Sequence, residues 1–376
     1  MKTYRVGGSV RDELLGLPLK DHDYVVVGAT VDDMQRLGYK QVGRDFPVFL
    51  HPQTKAEYAL ARTERKTGPG YQGFEVFAAP DVTLEQDLAR RDITINAMAR
   101  DDAGALIDPY GGKADLEAGT LRHVGPAFVE DPVRILRVAR FAARFGFTVA
   151  PETMELMREM TSRGEVDALV SERVWQELAR GLMEVHPSLM FEVLEQAQAL
   201  ARIAPELASM LADTPRRALS LAALEYAAGR DCGLAIRFAA LAHRMDDKGS
   251  KLKSFCERLR VPAECRELAQ LVILHWQTIN RELPLATENM ASLLERSDAY
   301  RRPERFIDLL KACACIFHAT PGKEDAPYPQ AVRLQQALAA ARSVDAGAIA
   351  AKSEPAAIRE HIREARSAAI AAALQL

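Results

Sequence analysis

Up to about residue 125 the apolar residues come in short β-branched or aromatic runs: Tyr24-Val25-Val26-Val27, Phe46-Pro47-Val48-Phe49-Leu50, Glu57-Tyr58-Ala59-Leu60-Ala61 and Phe74-Glu75-Val76-Phe77. Runs of that length and type, parted by Gly and Pro, predict strands. Residues 9–15 and 30–37 carry helical spacing instead, so this part reads as a small mixed α/β domain. Asp108-Pro109-Tyr110-Gly111-Gly112 and Gly125-Pro126 punctuate its end. Beyond them Ala, Leu, Arg and Glu recur at helical spacing to the C-terminus, which predicts an all-helical remainder. Pro205, Thr214-Pro215 and the stretch 320–329 are its expected breaks or loops. The fold class expected is therefore α+β, a mixed-sheet head followed by helices.

Composition bounds the function only loosely. The 376 residues are 48% hydrophobic and 27% charged, with 49 Lys+Arg against 52 Asp+Glu and a net charge of −3. This suits a soluble globular chain with more than one core, and it argues against a generally basic nucleic-acid binder. The basic set divides into 37 Arg and 12 Lys, and the planar Arg fork suits phosphates and base edges. Any positive surface must be local. Five cysteines (Cys232, Cys256, Cys265, Cys313, Cys315) without paired knuckles read as reduced thiols. With no apolar leader and no run of about 20 apolar residues, the expected location is the cytoplasm, with no membrane span.

Three blocks carry candidate chemistry. Val6-Gly7-Gly8-Ser9-Val10-Arg11-Asp12 is followed by Asp21-His22-Asp23 leading into the apolar run Tyr24–Val27. In a strand Asp21 and Asp23 share a face with α-carbons roughly 7 Å apart, and two carboxylates so placed call for a cation, Mg²⁺ being the hard-oxygen choice. Glycines ahead of a helix let amides approach a triphosphate, with Arg11 one turn on. In the second block, Arg90-Arg91-Asp92-Ile93-Thr94-Ile95-Asn96, a helix would bring Asp92 and Asn96 together at i,i+4, a face that could hold a ribose hydroxyl and a phosphate. The third runs from Glu130-Asp131-Pro132 to Arg144. Asp131 is its expected N-cap, with Arg134, Arg137, Arg140 and Arg144 on one stripe and Ile135, Val138, Phe141, Ala142 and Phe145 on the other side. Singly, each block also fits a plain surface turn, a charged helix start or a solvated amphipathic helix. Their combination points to nucleotide chemistry.

Together the blocks closely resemble the class II tRNA nucleotidyltransferases, the bacterial CCA-adding enzymes of the polymerase β superfamily. The resemblance spans residues 1–180 through Gly7-Gly8-x-x-Arg11-Asp12, Asp21-x-Asp23, Arg90-Arg91-Asp92, Asp108-Pro109-Tyr110, Glu130-Asp131-x-x-Arg134 and Ser171-Glu172-Arg173-Val174. It implies a catalytic head over 1–125, a helical neck for base recognition over 126–190, and a helical body and tail for tRNA over 191–376. By the same match Asp21 and Asp23 resemble the metal-binding catalytic carboxylates, and Gly8 and Arg11 lie at the nucleotide. Arg91 resembles a phosphate ligand and Asp92 a ribose contact. Asp131 and Arg134 resemble the pair that reads the incoming base, with Arg137 and Arg140 as further nucleotide contacts. Glu57 is a candidate third carboxylate, and residues 62–73 look like the mobile loop used in switching from C to A. The implied reaction adds CCA to tRNA from CTP and ATP with Mg²⁺, by a monomer or homodimer.

One segment departs from the pattern. Many relatives carry a phosphohydrolase domain needing an adjacent His-Asp pair, whereas residues 241–249 read Leu-Ala-His-Arg-Met-Asp-Asp-Lys-Gly. Arg244 stands where Asp is needed, so hydrolase activity is expected to be absent and His243 to be a helix or core residue. Competing readings are a bacterial poly(A) polymerase, ranked second because Gly43-Arg44-Asp45-Phe46 lacks a more basic pattern, and a non-catalytic tRNA-binding protein.

Overall fold

The computed structural model describes residues 1–19, 22–42, 48–66, 74–246, 249–281 and 285–374. Asp21, the Gly43–Pro47 segment and residues 67–73 of the expected mobile loop lie outside them. The chain divides into two compact units, residues 1–181 with 189–203, and residues 182–188 with 204–376.

In the first unit, β1 (Lys2–Val6), α1 (Gly8–Leu14), β2 (Asp23–Val27), α2 (Val31–Arg36), β3 (Lys40–Gln41), β4 (Val48–Leu50) and β5 (Glu57–Leu60) come first. The β6 (Thr63–Lys66) and β7 (Phe74–Phe77) strands form a separate antiparallel pair, followed by α3 (Leu84–Ala89), β8 (Ala99–Arg100), β9 (Leu106–Ile107) and α4 (Gly112–Glu117). The main sheet has the order β3-β4-β5-β2-β1-β8-β9. Its central strand β2 is antiparallel to β1 and parallel to β5.

The unbroken Tyr24–Val27 run is explained by burial on both faces. Successive side chains in a strand point to opposite sides. Val25 joins Val6, Ala61, Val82, Leu88, Ala97 and Ala99 on one face, and Val26 joins Ala29, Met34, Phe49 and Leu60 on the other. A strand covered twice has no polar alternation.

Several elements went unpredicted, β1 and α3 among them. Thr3-Tyr4-Arg5-Val6 had strand-forming types, and Thr83–Gln86 forms a reciprocal capping box that marks the start of α3. Residues 63–66 of the expected loop are strand. The Asp108–Gly112 punctuation has a packing cause as well: a Cβ on Gly112 would lie 2.3 Å from the Thr94 carbonyl oxygen and 2.9 Å from Met98 Cγ.

After α4 come β10 (Thr120–Leu121), a 3₁₀ turn over Pro126–Glu130, α5 (Val133–Phe145), β11 (Thr148–Val149), α6 (Pro151–Ser162) and α7 (Ser171–Leu182). The β10–β11 pair is a small exception to an all-helical remainder. In the second unit, helices start at Pro205 and Thr214, and residues 320–328 connect helices Pro303–His318 and Pro329–Arg342, as the breaks predicted. Among the described residues no helix is long and apolar enough to cross a membrane, and all five cysteines are free.

Candidate active site

Gly7, at φ +69°, turns the chain from β1 into α1, and its amide donates to the Met98 carbonyl oxygen at 3.1 Å. The left-handed backbone favours glycine, and space demands it too, since an added Cβ would stand 2.6 Å from Arg91 Nη1. One turn on, Arg11 is almost fully buried. It donates from Nε to Asp12 Oδ1 at 2.8 Å, and its Nη1 donates to Asn96 Oδ1. Burial lowers the Arg11 guanidinium below its ordinary value. Asp12 also accepts from Arg144 at 2.9 Å.

The second block is not the helix expected. α3 ends before Arg90, and Thr94–Asn96 form a 3₁₀ turn after an extended Ile93. Asn96 nevertheless meets Asp92, donating from Nδ2 to Oδ1 at 3.0 Å, because the tight turn folds the chain back over the same interval. Arg137 donates to Asp92 Oδ2 from Nε and Nη2, both at 2.7 Å. Burial alone would raise the Asp92 carboxyl. The Arg137 charge and the hydrogen bonds from Asn96 and Arg137 outweigh it and hold the group at about 2. Behind it, fully buried Asp87 accepts from Arg90 at 3.0 Å and Arg91 at 3.2 Å.

This depressed value has a sign. A carboxyl lowered from ~3.9 in the unfolded chain adds stability above that pH, and the contribution is lost as pH falls through the folded value. Between pH ~4 and ~2 the loss should be about 2 kcal/mol. Circular dichroism of urea unfolding across that window should show Asp92→Asn with a shallower pH dependence; an identical slope would contradict it.

In the third block Asp131 accepts from the Val133 amide at 3.1 Å, close to the capping role expected, and from Arg173 Nη2 of α7 at 2.8 Å. Arg134 donates to the carbonyl oxygens of Ala127 at 2.7 Å and Arg90 at 2.6 Å. Arg140 donates to Glu177 Oε2 at 2.7 Å, with both side chains more than nine-tenths buried. The expected separation of arginines from apolar residues fails at Phe141. At ~100° per residue this position lies within the arginine stripe, and the guanidiniums of Arg140, Arg11 and Arg137 sit 4.6, 5.4 and 5.6 Å from its ring centroid. Within the stripe Arg137, Arg140 and Arg144 pair with acidic groups of the same unit and Arg134 with backbone carbonyl oxygens, while Arg137 and Arg144 stay about one-third exposed.

These elements enclose one cleft of about 500 Å³. It brings together Gly8, Arg11, Asp23, Arg91, Asp92, Asp131, Arg134, Arg137 and Arg140. Eight arginines line it against three aspartates, so its preferred ligand is a polyanion. Asp23 begins β2 and pairs in parallel register with Glu57, which puts the two carboxylates side by side on neighbouring strands. Glu177 and the role of Asp12 were missed in the sequence because Arg140 and Arg144 reach them from separate elements; Asp87 was missed although its spacing to Arg90 and Arg91, three and four residues, was a local signal that could have found it.

Residues 3–122 match the poly A polymerase head domain family, and residues 146–211 match the family described as a probable RNA and SrmB-binding site of polymerase A. The chain is 56% identical to a multifunctional CCA protein of Nitrosomonas eutropha, over 93% of this chain and 91% of that one. It is 53% identical to the multifunctional CCA protein of Burkholderia cenocepacia over the full length of both. Its fold is similar to the Bacillus stearothermophilus CCA-adding enzyme in complex with CTP, with a TM-score of 0.73, 22% identity, and coverage of 98% of this chain and 89% of that one. The Thermotoga maritima CCA-adding enzyme complexed with tRNA gives a TM-score of 0.63 at 22% identity, covering 100% and 91%. A head-domain match, full-length identity above one half and a shared fold together make this chain a member of the class II CCA-adding enzyme family of tRNA nucleotidyltransferases.

Proposed function

We infer that this chain adds CCA to the 3′ end of tRNA from CTP and ATP. The cleft supports this reading most directly, because it joins an arginine-lined triphosphate site to a strand-end carboxylate and to a fixed Asp131 and Arg134. In nucleotidyl transfer the tRNA 3′-hydroxyl attacks the α-phosphorus and pyrophosphate leaves. Arg11, Arg91, Arg137 and Arg140 are the groups that would offset the growing phosphate charge. Asp92 would take a ribose hydroxyl, and Gly8 would admit the phosphates close to the backbone. Asp131 offers acceptors and Arg134 donors to cytosine or adenine edges, at about 1–3 kcal/mol per well-made bidentate contact. Their protein partners hold both side chains before a nucleotide arrives, which spares ordering entropy on binding.

Enzymes of this family generally use a divalent metal. The hard oxygen donors of Asp23 and Asp21, with Glu57 in register beside Asp23, fit Mg²⁺. Bound there, it would supply Lewis-acid stabilisation of the phosphoryl oxygens.

The test supplies tRNA ending before its CCA with CTP and ATP, separately and together. Completion only with both nucleotides is the expected result. A long A tail would select the poly(A) polymerase reading, and no incorporation would select a non-catalytic tRNA binder.

For the second unit we infer that no hydrolase centre is formed around His243. His243 is buried, bonds the Ala240 carbonyl oxygen through Nδ1 at 2.7 Å and meets the Trp276 ring edge-on at 5.0 Å. Burial pushes it down to about 3, so it stays neutral. Asp246 is used at the start of helix Ser250–Leu259, accepting from the Ser250 amide at 3.1 Å; Asp247 lies outside the described residues. Metal-dependent phosphatase activity that disappears in His243→Ala would refute this.

A further inference from the structure

We propose that Asn96 is a positioning residue that couples ribose recognition to triphosphate recognition, and that selection of ribonucleotides over deoxyribonucleotides depends on it. The inference rests on the reading of Asp92 as the ribose contact and Arg11 as a phosphate contact.

Asn96 lines the cleft at 7% exposure and touches three of the nucleotide-site residues at once. Its Oδ1 accepts from Arg11 Nη1, its Nδ2 donates to Asp92 Oδ1 at 3.0 Å, and its backbone carbonyl oxygen accepts from Arg91 Nη1 at 3.3 Å. Chemistry fixes the amide orientation. A guanidinium only donates and a carboxylate only accepts, so the oxygen must face Arg11 and the nitrogen Asp92. No other residue of this size does both.

The acceptor capacity of Asp92 shows what this fixes. Each carboxylate oxygen takes about two hydrogen bonds. Oδ1 receives the Ile93 amide at 2.9 Å and Asn96, and Oδ2 receives Nε and Nη2 of Arg137. The Ile93 and Asn96 bonds hold Oδ1 inside the protein, so Oδ2 is the oxygen turned to a ligand. There a ribose hydroxyl competes with Arg137, whose side chain is 34% exposed and able to move aside. Without the Asn96 donor the carboxylate is free to turn and take the guanidinium of Arg137 with both oxygens, a bidentate pairing that shuts the hydroxyl out. Through its other end the same amide sets Arg11, so the ribose and phosphate contacts are held at one spacing.

The experiment measures kcat/KM for CTP, 2′-deoxy-CTP and 3′-deoxy-CTP on tRNA ending before its CCA, for the wild type, Asp92→Ala, Asn96→Asp and Asn96→Ala. Each preference ratio comes from one preparation, so a variant's folded fraction cancels. The wild type should favour CTP, and Asp92→Ala should lower that preference about tenfold, the weight of one charge-assisted hydrogen bond. Asn96→Asp keeps the acceptor for Arg11 but loses the donor to Asp92. It should lower the preference by a similar factor through a loss on CTP, while kcat/KM for the analogue lacking the hydroxyl that Asp92 bonds stays within about threefold. Asn96→Ala also loses the acceptor for Arg11 and should lower the preference and the analogue's kcat/KM together. Equal losses on all three nucleotides in the Asn96 variants would mean a structural role and overturn the proposal. A wild type that incorporates all three equally would overturn it as well. If Asp92→Ala retains the full preference, the ribose reading of Asp92 fails first and this inference with it.

Discussion

Asp23→Asn is expected to reduce incorporation of CMP into tRNA by at least about a thousandfold while leaving the protein folded. Asp23 is exposed at the first position of β2, outside both clusters that make the sheet's core. A surface substitution of equal size changes stability by only about 0.5 kcal/mol. The loss comes from charge. An amide oxygen is a far weaker ligand for a divalent cation than a carboxylate, and several kcal/mol of phosphoryl charge stabilisation depend on that ligand, each ~1.4 kcal/mol being tenfold in rate. Single-turnover incorporation, read beside a thermal melt, checks both halves. A rate within tenfold of wild type would remove Asp23 from the mechanism. Glu57→Gln should cost about tenfold if the register with Asp23 brings Glu57 to the same cation.

Glu177→Ala is expected to destabilise the first unit by about 3–5 kcal/mol, the usual cost of deleting one partner of a buried ion pair. Both Glu177 and Arg140 are almost fully buried, and Arg140 also lies against Phe141 and lines the cleft. Urea unfolding should therefore shift to lower concentration, and the KM for CTP should rise in the same variant. Joint replacement by Arg140→Leu and Glu177→Leu removes both charges, and apolar substitutes for buried pairs are often neutral. That double variant should recover most of the stability without recovering nucleotide binding. Recovery of both would show that Arg140 is a packing residue only.

The near-neutral total of −3 first counted against a nucleic-acid partner. The fold resolves this by concentration. Eight arginines gather at one cleft, while acidic groups such as Asp87, Asp12 and Glu177 hold them from behind. Net charge averages over a surface that a bound ligand never sees.

Much of the head was legible from local pattern, for local reasons. The β-branched Tyr24–Val27 run reads as a strand, which the structure covers on both faces, and Thr30 and Asp33 close a capping box at the start of α2 as their spacing allows. The helical reading of residues 91–96 failed because contact between Asp92 and Asn96 does not require a helix: a 3₁₀ turn delivers it too. Spacing alone cannot separate the two.

By itself the sequence determined the chemical types at the site, carboxylates at a strand start, glycines before a helix and arginines along α5, and through their order the family. The tertiary structure alone decided which charge holds which between separate elements. Arg144 finds Asp12 across 132 positions, Arg137 finds Asp92 across 45 and Arg140 finds Glu177 across 37. Local periodicity reports neighbours three or four residues apart. Ion pairs between separate elements depend on sheet order and on how α5 and α7 dock, and those are fixed only when the cores of the first unit are buried.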